Sequence, residues 1–217
     1  GDVLIQNGKL AFRHYGHNYF LRNFSFNIPC GEIFPGFYGQ DIVAALDQQF
    51  QKIADALHIR DGCLNFDGFV SGGQVFLIDI ALRNGGNYVP EAIRLSTGFN
   101  LTEAAIYSAL GEAYPVPDLN KLCAKPVASY LIASRVEGKL LAVNFDDEIK
   151  PYLLEKHDFV QPGGDVYPYS RSDYAVGIAF FGFPEMKTLQ EKIERIEDLV
   201  EVRSEERRVG KECEDLC

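Results

Sequence analysis

Apolar and polar positions alternate most regularly between Asp61 and Gly98. There residues 62–70 and 74–82 are rich in Val, Ile, Leu and Phe, and Ser71-Gly72-Gly73 stands between them. Two such runs joined by glycine turn chemistry predict a β-hairpin. Side chains alternate along a strand, so Asn65 and Asp67 share one face and Phe66 and Val70 the other. On the second strand Asp79, Ala81 and Arg83 point one way, and Phe76, Ile78, Ile80 and Leu82 the other. Register decides whether the polar sets meet. A two-residue loop, Gly72-Gly73, would set Asp67 opposite Ile78 and separate the aspartates, whereas a three-residue loop, 71–73 or 72–74, brings both to one face.

Elsewhere, residues 2–6 and 9–15 flank Asn7-Gly8, a strong signal for a second hairpin. Residues 28–36 hold two prolines and two glycines and read as loop. Residues 41–58 carry Val43, Leu46, Phe50, Ile53 and Leu57 at helical spacing behind Asp41 as cap, a core-facing stripe. Pro90-Glu91 opens a short helix that Ser96-Thr97-Gly98 closes, and Asn100 caps a second over 101–110 that Gly111 stops. Glu91 and Glu103 sit where carboxylates offset a helix macrodipole, a structural role. The Pro-punctuated segment Tyr114–Asp118 marks a boundary, giving units at 1–117 and 118–202. Beyond it strands are expected at 127–135, 140–144, 152–159 and 174–181, with turns at Gly138-Lys139 and Gly163-Gly164-Asp165. Asp165 reads as a turn residue. A last helix, 184–199, turns Met186, Leu189, Ile193 and Ile196 inward.

Composition narrows the function. A chain of 217 residues, 47% hydrophobic, can bury a real core. No apolar run reaches membrane-spanning length, so no membrane partner is expected. A formal charge of −10 with no basic face argues against nucleic acid. Cys30, Cys63, Cys123, Cys213 and Cys217 show neither metal spacing nor a paired framework, which fits a reducing cytoplasm. His14 and His17, three apart, invite a metal reading, but on a strand they fall on opposite faces. Only His17 is kept, as a cleft-wall residue.

The chemistry rests on the acids. Two carboxylates on one face repel, and one would keep its proton unless a cation lay between them, which points to a metal held by Asp67 and Asp79. Magnesium, or manganese in its place, takes hard oxygen ligands and is usually completed by substrate phosphates. Arg83, on the same face, could stabilise a phosphoryl group in flight. The same spacing equally serves an edge hairpin whose outer face is merely wet.

Gly62-Cys63-Leu64-Asn65-Phe66-Asp67, then Asp79-Ile80-Ala81-Leu82-Arg83 and Asn84-Gly85-Gly86-Asn87, resemble the ATP-grasp carboxylate–amine ligases. Their penultimate strand carries an acidic residue or Gln after a Gly-X-X-Asn-like start, where Asp67 would take the first metal-ligand position, and the next carries Glu-X-Asn-X-Arg before a glycine-rich loop. The resemblance covers 61–111 most closely and 1–60 and 122–202 more loosely. It implies an α+β fold: the C-terminal part of an ATP-grasp domain, an antiparallel sheet with helices on one face, then a small strand-rich subdomain. It implies ATP and magnesium held by Asp67 and Asp79, with Arg83 steadying an acyl phosphate and Asn84, Gly85, Gly86 and Asn87 presenting backbone N–H groups to it. The substrates would be a small carboxylate and a small amine, and a homo-oligomer is compatible with this. Asp79 stands where Glu is usual, and Ala81 replaces the usual Asn and cannot ligate, which puts a second metal ion in question. Ala81 is also the best argument for a catalytically degenerate scaffold. A sugar- or polymer-binding module would need a row of exposed aromatics instead.

The family's phosphate loop and lysine pair lie upstream of this region, so the chain is expected to be a fragment that does not turn over alone. Arg203 to Cys213 is a charge run without apolar period, and it resembles the translation of a DNA-sequencing adapter. Residues 203–217 are therefore expected to be a non-native tail.

Overall fold

A computed structural model describes residues 1–21 and 28–206. In chain order the strands are β1 (Asp2–Gln6), β2 (Lys9–His14), β3 (His17–Tyr19), β4 (Gly31–Phe34), β5 (Gly62–Ser71), β6 (Gln74–Ala81), β7 (Val127–Ile132), β8 (Gly138–Phe145), β9 (Leu153–Asp158), β10 (Asp165–Val166), β11 (Gly177–Gly182) and β12 (Val200–Glu206). The α-helices are α1 (Gln40–Ala56), α2 (Val89–Thr97), α3 (Leu101–Leu110), α4 (Met186–Ile193) and α5 (Ile196–Leu199). The sheets run β2-β1-β5-β6, β3-β4-β7-β11-β9 and β10-β8-β12. The described residues divide into two compact units, Gly1–Asn18 with Glu32–Ala128 and Gly182–Leu189, and 19–21 and 28–31 with Ser129–Phe181 and 190–206. The segment Tyr114–Asp118 falls inside the first of them.

In the first unit Asn7 and Gly8 take the left-handed conformation (φ 55° and 74°) that a tight hairpin demands, and they join β1 to β2. β1 then pairs with β5 and β5 with β6, all antiparallel. One face packs on α1, where Val3, Ile5, Leu64 and Phe66 meet Ile42, Leu46, Phe50 and Ala54. The other face meets α2 and α3: Phe12 stacks on Phe99 at 4.1 Å, which follows α2, and Cys63 Sγ donates to the Leu101 carbonyl at 3.8 Å. The α+β class and antiparallel pairing agree with the sequence reading, and α2 and α3 add a second covered face to the one expected.

Three local expectations shift. The buried row of α1 is Ile42, Leu46, Phe50 and Ala54, with Val43 and Ile53 at its margins. Gly39 is the N-cap, so Asp41 sits in the first turn, and Leu57, just past the helix, is exposed. Residues 31–34, expected as loop, form β4, because Ile33 and Phe34 are buried in pairing with Ala128 and Val127. Long-range pairing outweighs local Pro and Gly signals there. Helix α3 matches its signals: Asn100 Oδ1 accepts from the N–H groups of Thr102 and Glu103, both at 3.1 Å, and Gly98 and Gly111 end the two helices at φ 79° and 74°.

In the second unit β9 pairs with β11, and β8 with β10 and β12. Gly138-Lys139 opens β8 instead of forming a turn, and the Gly163-Gly164 turn bonds to Leu140 of that strand. Asp165 pairs with Lys139 at 2.9 Å. The expected helix over 184–199 is two, α4 and α5, with Leu189, Ile193 and Ile196 buried and Met186 half-buried. Arg203–Glu206, expected to begin a solvated extension, continue β12 along β8. The rest of that charge run, 207–217, lies outside the described residues.

Candidate functional site

Asp67 and Asp79 are direct cross-strand partners. The route differs from the one loop length predicts. The loop is the two-residue Gly72-Gly73, both left-handed at φ 57° and 75°, with Ser71 opposite Gln74. Left alone, that register would set Asp67 against Ile78. A β-bulge between Asp67 and Gly68 leaves Ile78 as the extra residue, so Gly68 faces Leu77 and the aspartates meet. A Cβ on Gly68 would stand 2.7 Å from the Phe76 carbonyl oxygen, so glycine fits the bulge where other residues clash. Gly68→Ala is expected to cost about 1–2 kcal/mol by forcing that contact apart. Thermal unfolding of the variant checks this, and an unchanged midpoint would mean that the bulge does not depend on the glycine.

The bulge re-sorts the strand. Ile80 packs inward as expected, but below it Val75 and Leu77 take the inner face, while Ile78 is 69% exposed and Leu82 70%. By the same alternation Phe69 and Phe76, paired in register and stacked at 5.0 Å, lie on the face of the aspartates. Both rings are exposed. This pair was missed at the sequence level, and its one signal was the step of two from Asp67 to Phe69.

Asp67, Asp79 and Arg83 are all exposed, so water relieves part of the repulsion between the acids. Asn18 of β3 brings Nδ2 to 3.4 Å from Asp67 Oδ1, another residue that sequence reasoning passed over. Arg83 Nη1 donates to the Asn84 carbonyl at 2.8 Å and to Asn65 Oδ1 at 3.4 Å. The guanidinium therefore stands beside Asn65, whose register partner is Ala81.

The loop after β6 is held from beneath. Gly85 N–H donates to both carboxylate oxygens of Asp2, at 2.9 and 3.1 Å, so that donor is committed within the protein. Asn65 Nδ2 donates to Asp2 Oδ1 at 2.8 Å. Burial pushes the Asp2 carboxyl above its ordinary range, and these hydrogen bonds oppose the shift. Asn84 Nδ2 donates to the Leu101 carbonyl at 3.1 Å, and its Oδ1 is buried with no partner among the described residues. Asn87 and Tyr88 are both left-handed, at φ 48° and 60°. Asparagine adopts that conformation readily and tyrosine does not, so the loop enters α2 under local strain.

The other candidates resolve simply. His14 lies on β2 and is buried, while His17 on β3 stacks against Phe37 at 4.9 Å and meets the tilted ring of Tyr38 at 4.4 Å. Cys30 and Cys63 are buried, which pushes their thiols up to about 11 and about 12 and keeps them unreactive. Among the described residues no three His, Cys, Asp or Glu side chains converge on a metal position. Two facing carboxylates fit an ion such as magnesium, which takes one or two of them and leaves its other positions to phosphate and water.

An antiparallel sheet carrying paired acids and a glycine loop that opens a helix defines the architecture, and the chain has part of the fold of the ATP-grasp ligases. Its coordinates resemble those of phosphoribosylglycinamide synthetase from Anaerococcus prevotii, at a TM-score of 0.75 and 16% identity over 94% of this chain and 52% of that one. L-amino acid ligase from Bacillus licheniformis gives 0.76 and 16% over 94% and 51%. N5-carboxyaminoimidazole ribonucleotide synthetase from Thermotoga maritima gives 0.67 and 17% over 94% and 52%. The chain thus spans about half the length of these structures. No family model matches it, and no curated protein does.

Proposed function

We propose that this chain belongs to a longer ATP-dependent ligase that joins a small carboxylate to a small amine, the carboxylate being activated as an acyl phosphate. The observation that carries the reading is the bulge that sets Asp67 opposite Asp79, with Arg83 just past the end of β6 beside Asn65. In this reading Asp67 and Asp79 hold magnesium, or manganese, against the nucleotide's phosphates. The bound ion supplies charge neutralisation and a template for in-line displacement. Arg83 then meets the charge that develops on the phosphoryl oxygens, fixed in place by Asn84 and Asn65. The loop from Asn84 to Asn87 runs into the N-terminus of the nine-residue helix α2, whose macrodipole favours an anion. The stacked rings of Phe69 and Phe76 offer a flat apolar surface for the nucleotide's base. Among the described residues no helix is long and apolar enough to cross a membrane, and buried free thiols suit a cytoplasmic protein.

Ala81 favours a second reading, a scaffold that has kept the fold and lost the reaction, because it places a methyl group where the family's Asn would stand. Isothermal titration of the intact parent protein with ATP, with and without magnesium, separates the two. The ligase reading expects magnesium-dependent heat of binding. Absence of any heat would leave the scaffold.

A further inference from the structure

Among the described residues Asp2 is the one acid with no exposed surface. Burying a carboxylate is costly, and Val3, Leu4 and Ile5, which follow it on β1, show that the strand takes apolar residues on both faces. The carboxylate joins three segments. From β1 it accepts the Gly85 N–H of the loop after β6, at 2.9 and 3.1 Å, and the side-chain amide of its register partner Asn65 on β5, at 2.8 Å. Every one of those contacts is a donor aimed at oxygen. Asn65 in turn presents Oδ1 to Arg83 Nη1 at 3.4 Å. The packing leaves no slack at Gly85, where an added Cβ would lie 2.6 Å from the Val89 Cβ and 3.0 Å from Asn65 Nδ2.

We propose that Asp2 is a positioning residue for phosphoryl transfer: its carboxylate fixes the Gly85 backbone and the Asn65 amide, and through them the placement of Arg83 and the 84–87 loop. The role rests on the ligase reading. It differs from that of Asp67 and Asp79, because Asp2 is sealed beneath the loop and acts on the reaction only through its two partners. Its loss should therefore spare the binding of Mg–ATP, which the exposed acids hold, and impair the step in which charge moves. Geometric errors of about 1 Å at a reacting centre cost on the order of 100-fold in rate.

The test uses the intact protein carrying Asp2→Asn, Asn65→Ala or both, with Asp79→Asn alongside. Turnover is followed by phosphate release, Mg–ATP affinity by calorimetry, and the Gly85 amide by hydrogen exchange. Asp2→Asn is expected to lower kcat by about 10- to 100-fold while the Kd for Mg–ATP changes less than about threefold. The Gly85 amide should lose protection while amides of α1 keep theirs, a pattern that general destabilisation does not give. Asn65→Ala should reproduce the kcat defect, and the double variant should be no worse than the more severe single one, as residues of one network behave. Should Asp2→Asn not fold, Asn65→Ala at its half-buried position carries the same prediction. An unaltered kcat in Asn65→Ala, or in a folded Asp2→Asn, overturns the positioning role. If Mg–ATP binding survives Asp79→Asn, or the unmutated protein binds none, the ligase reading fails and this role falls with it. If binding needs Asp79 but kcat ignores Asp2, only this role fails.

Discussion

Asp79→Asn in the intact protein is expected to weaken Mg–ATP binding and lower turnover by about 100-fold or more, the scale on which a bound ion stabilises a transferring phosphoryl group. Substitution removes one unit of negative charge and leaves Asp67 as the remaining carboxylate of the cross-strand pair. A single exposed carboxylate binds magnesium weakly, because the ion gives up its water reluctantly. Asp79→Glu restores the charge with one more methylene, and Glu is the residue at this point of the ATP-grasp pattern that the segment resembles, so it should stay within about tenfold of the parent. Stability moves the other way. Two like charges directly opposed on a strand pair destabilise it, so Asp79→Asn should leave the thermal midpoint unchanged or slightly raised. Calorimetry with Mg–ATP and a melting curve on the same sample settle the matter. Unchanged binding in Asp79→Asn would remove the metal role, and a fall in both binding and stability would mean that Asp79 supports the fold instead.

What could be read from the sequence follows from how local each signal is. Asn7-Gly8, Asn100 and Gly111 act through their own backbone and immediate neighbours, and each sits where it was expected. Alternation in β5 and β6 placed Asp79 and Ala81 on one face, opposite Asp67 and Asn65, yet loop length alone gave the wrong reason for the aspartates meeting. Arg83 lies past the end of β6, where the chain turns and alternation no longer applies. The bulge at Ile78 depends on which side chains pair across the strands and on a clash-free Gly68, and neither is visible along one chain. β4 was hidden because Pro and Gly flank residues whose pairing partners lie about a hundred positions away. Asp2 escaped notice for the same reason. Before an apolar run it reads as a polar strand end, and its partners Asn65 and Gly85 come near only once β1 has paired with β5.

The fold should lose about 3 kcal/mol of stability at His14 as pH falls from about 6.5 to about 4. His14 is buried against α2, and its Nε2 lies 3.0 Å from Ser96 Oγ. Ser96 Oγ donates its own proton to the Lys125 carbonyl at 2.7 Å. The hydroxyl therefore accepts from histidine, which fixes the neutral Nε2–H tautomer and excludes serine as an activated nucleophile. Burial, reinforced by the charge of Arg13, holds the imidazole down to about 4 against an ordinary value of 6.5. The unfolded chain consequently binds one more proton between those limits, so stability is complete above about 6.5 and declines as the medium is acidified. Asp2 contributes with the opposite sign: its raised carboxyl holds a proton better folded than unfolded, which favours the fold on the acid side. Comparing urea midpoints of the parent and His14→Gln across this range isolates the histidine, because Asp2 is common to both. The parent should lose stability steeply and the variant far less, while equal slopes would show that acid unfolding begins elsewhere.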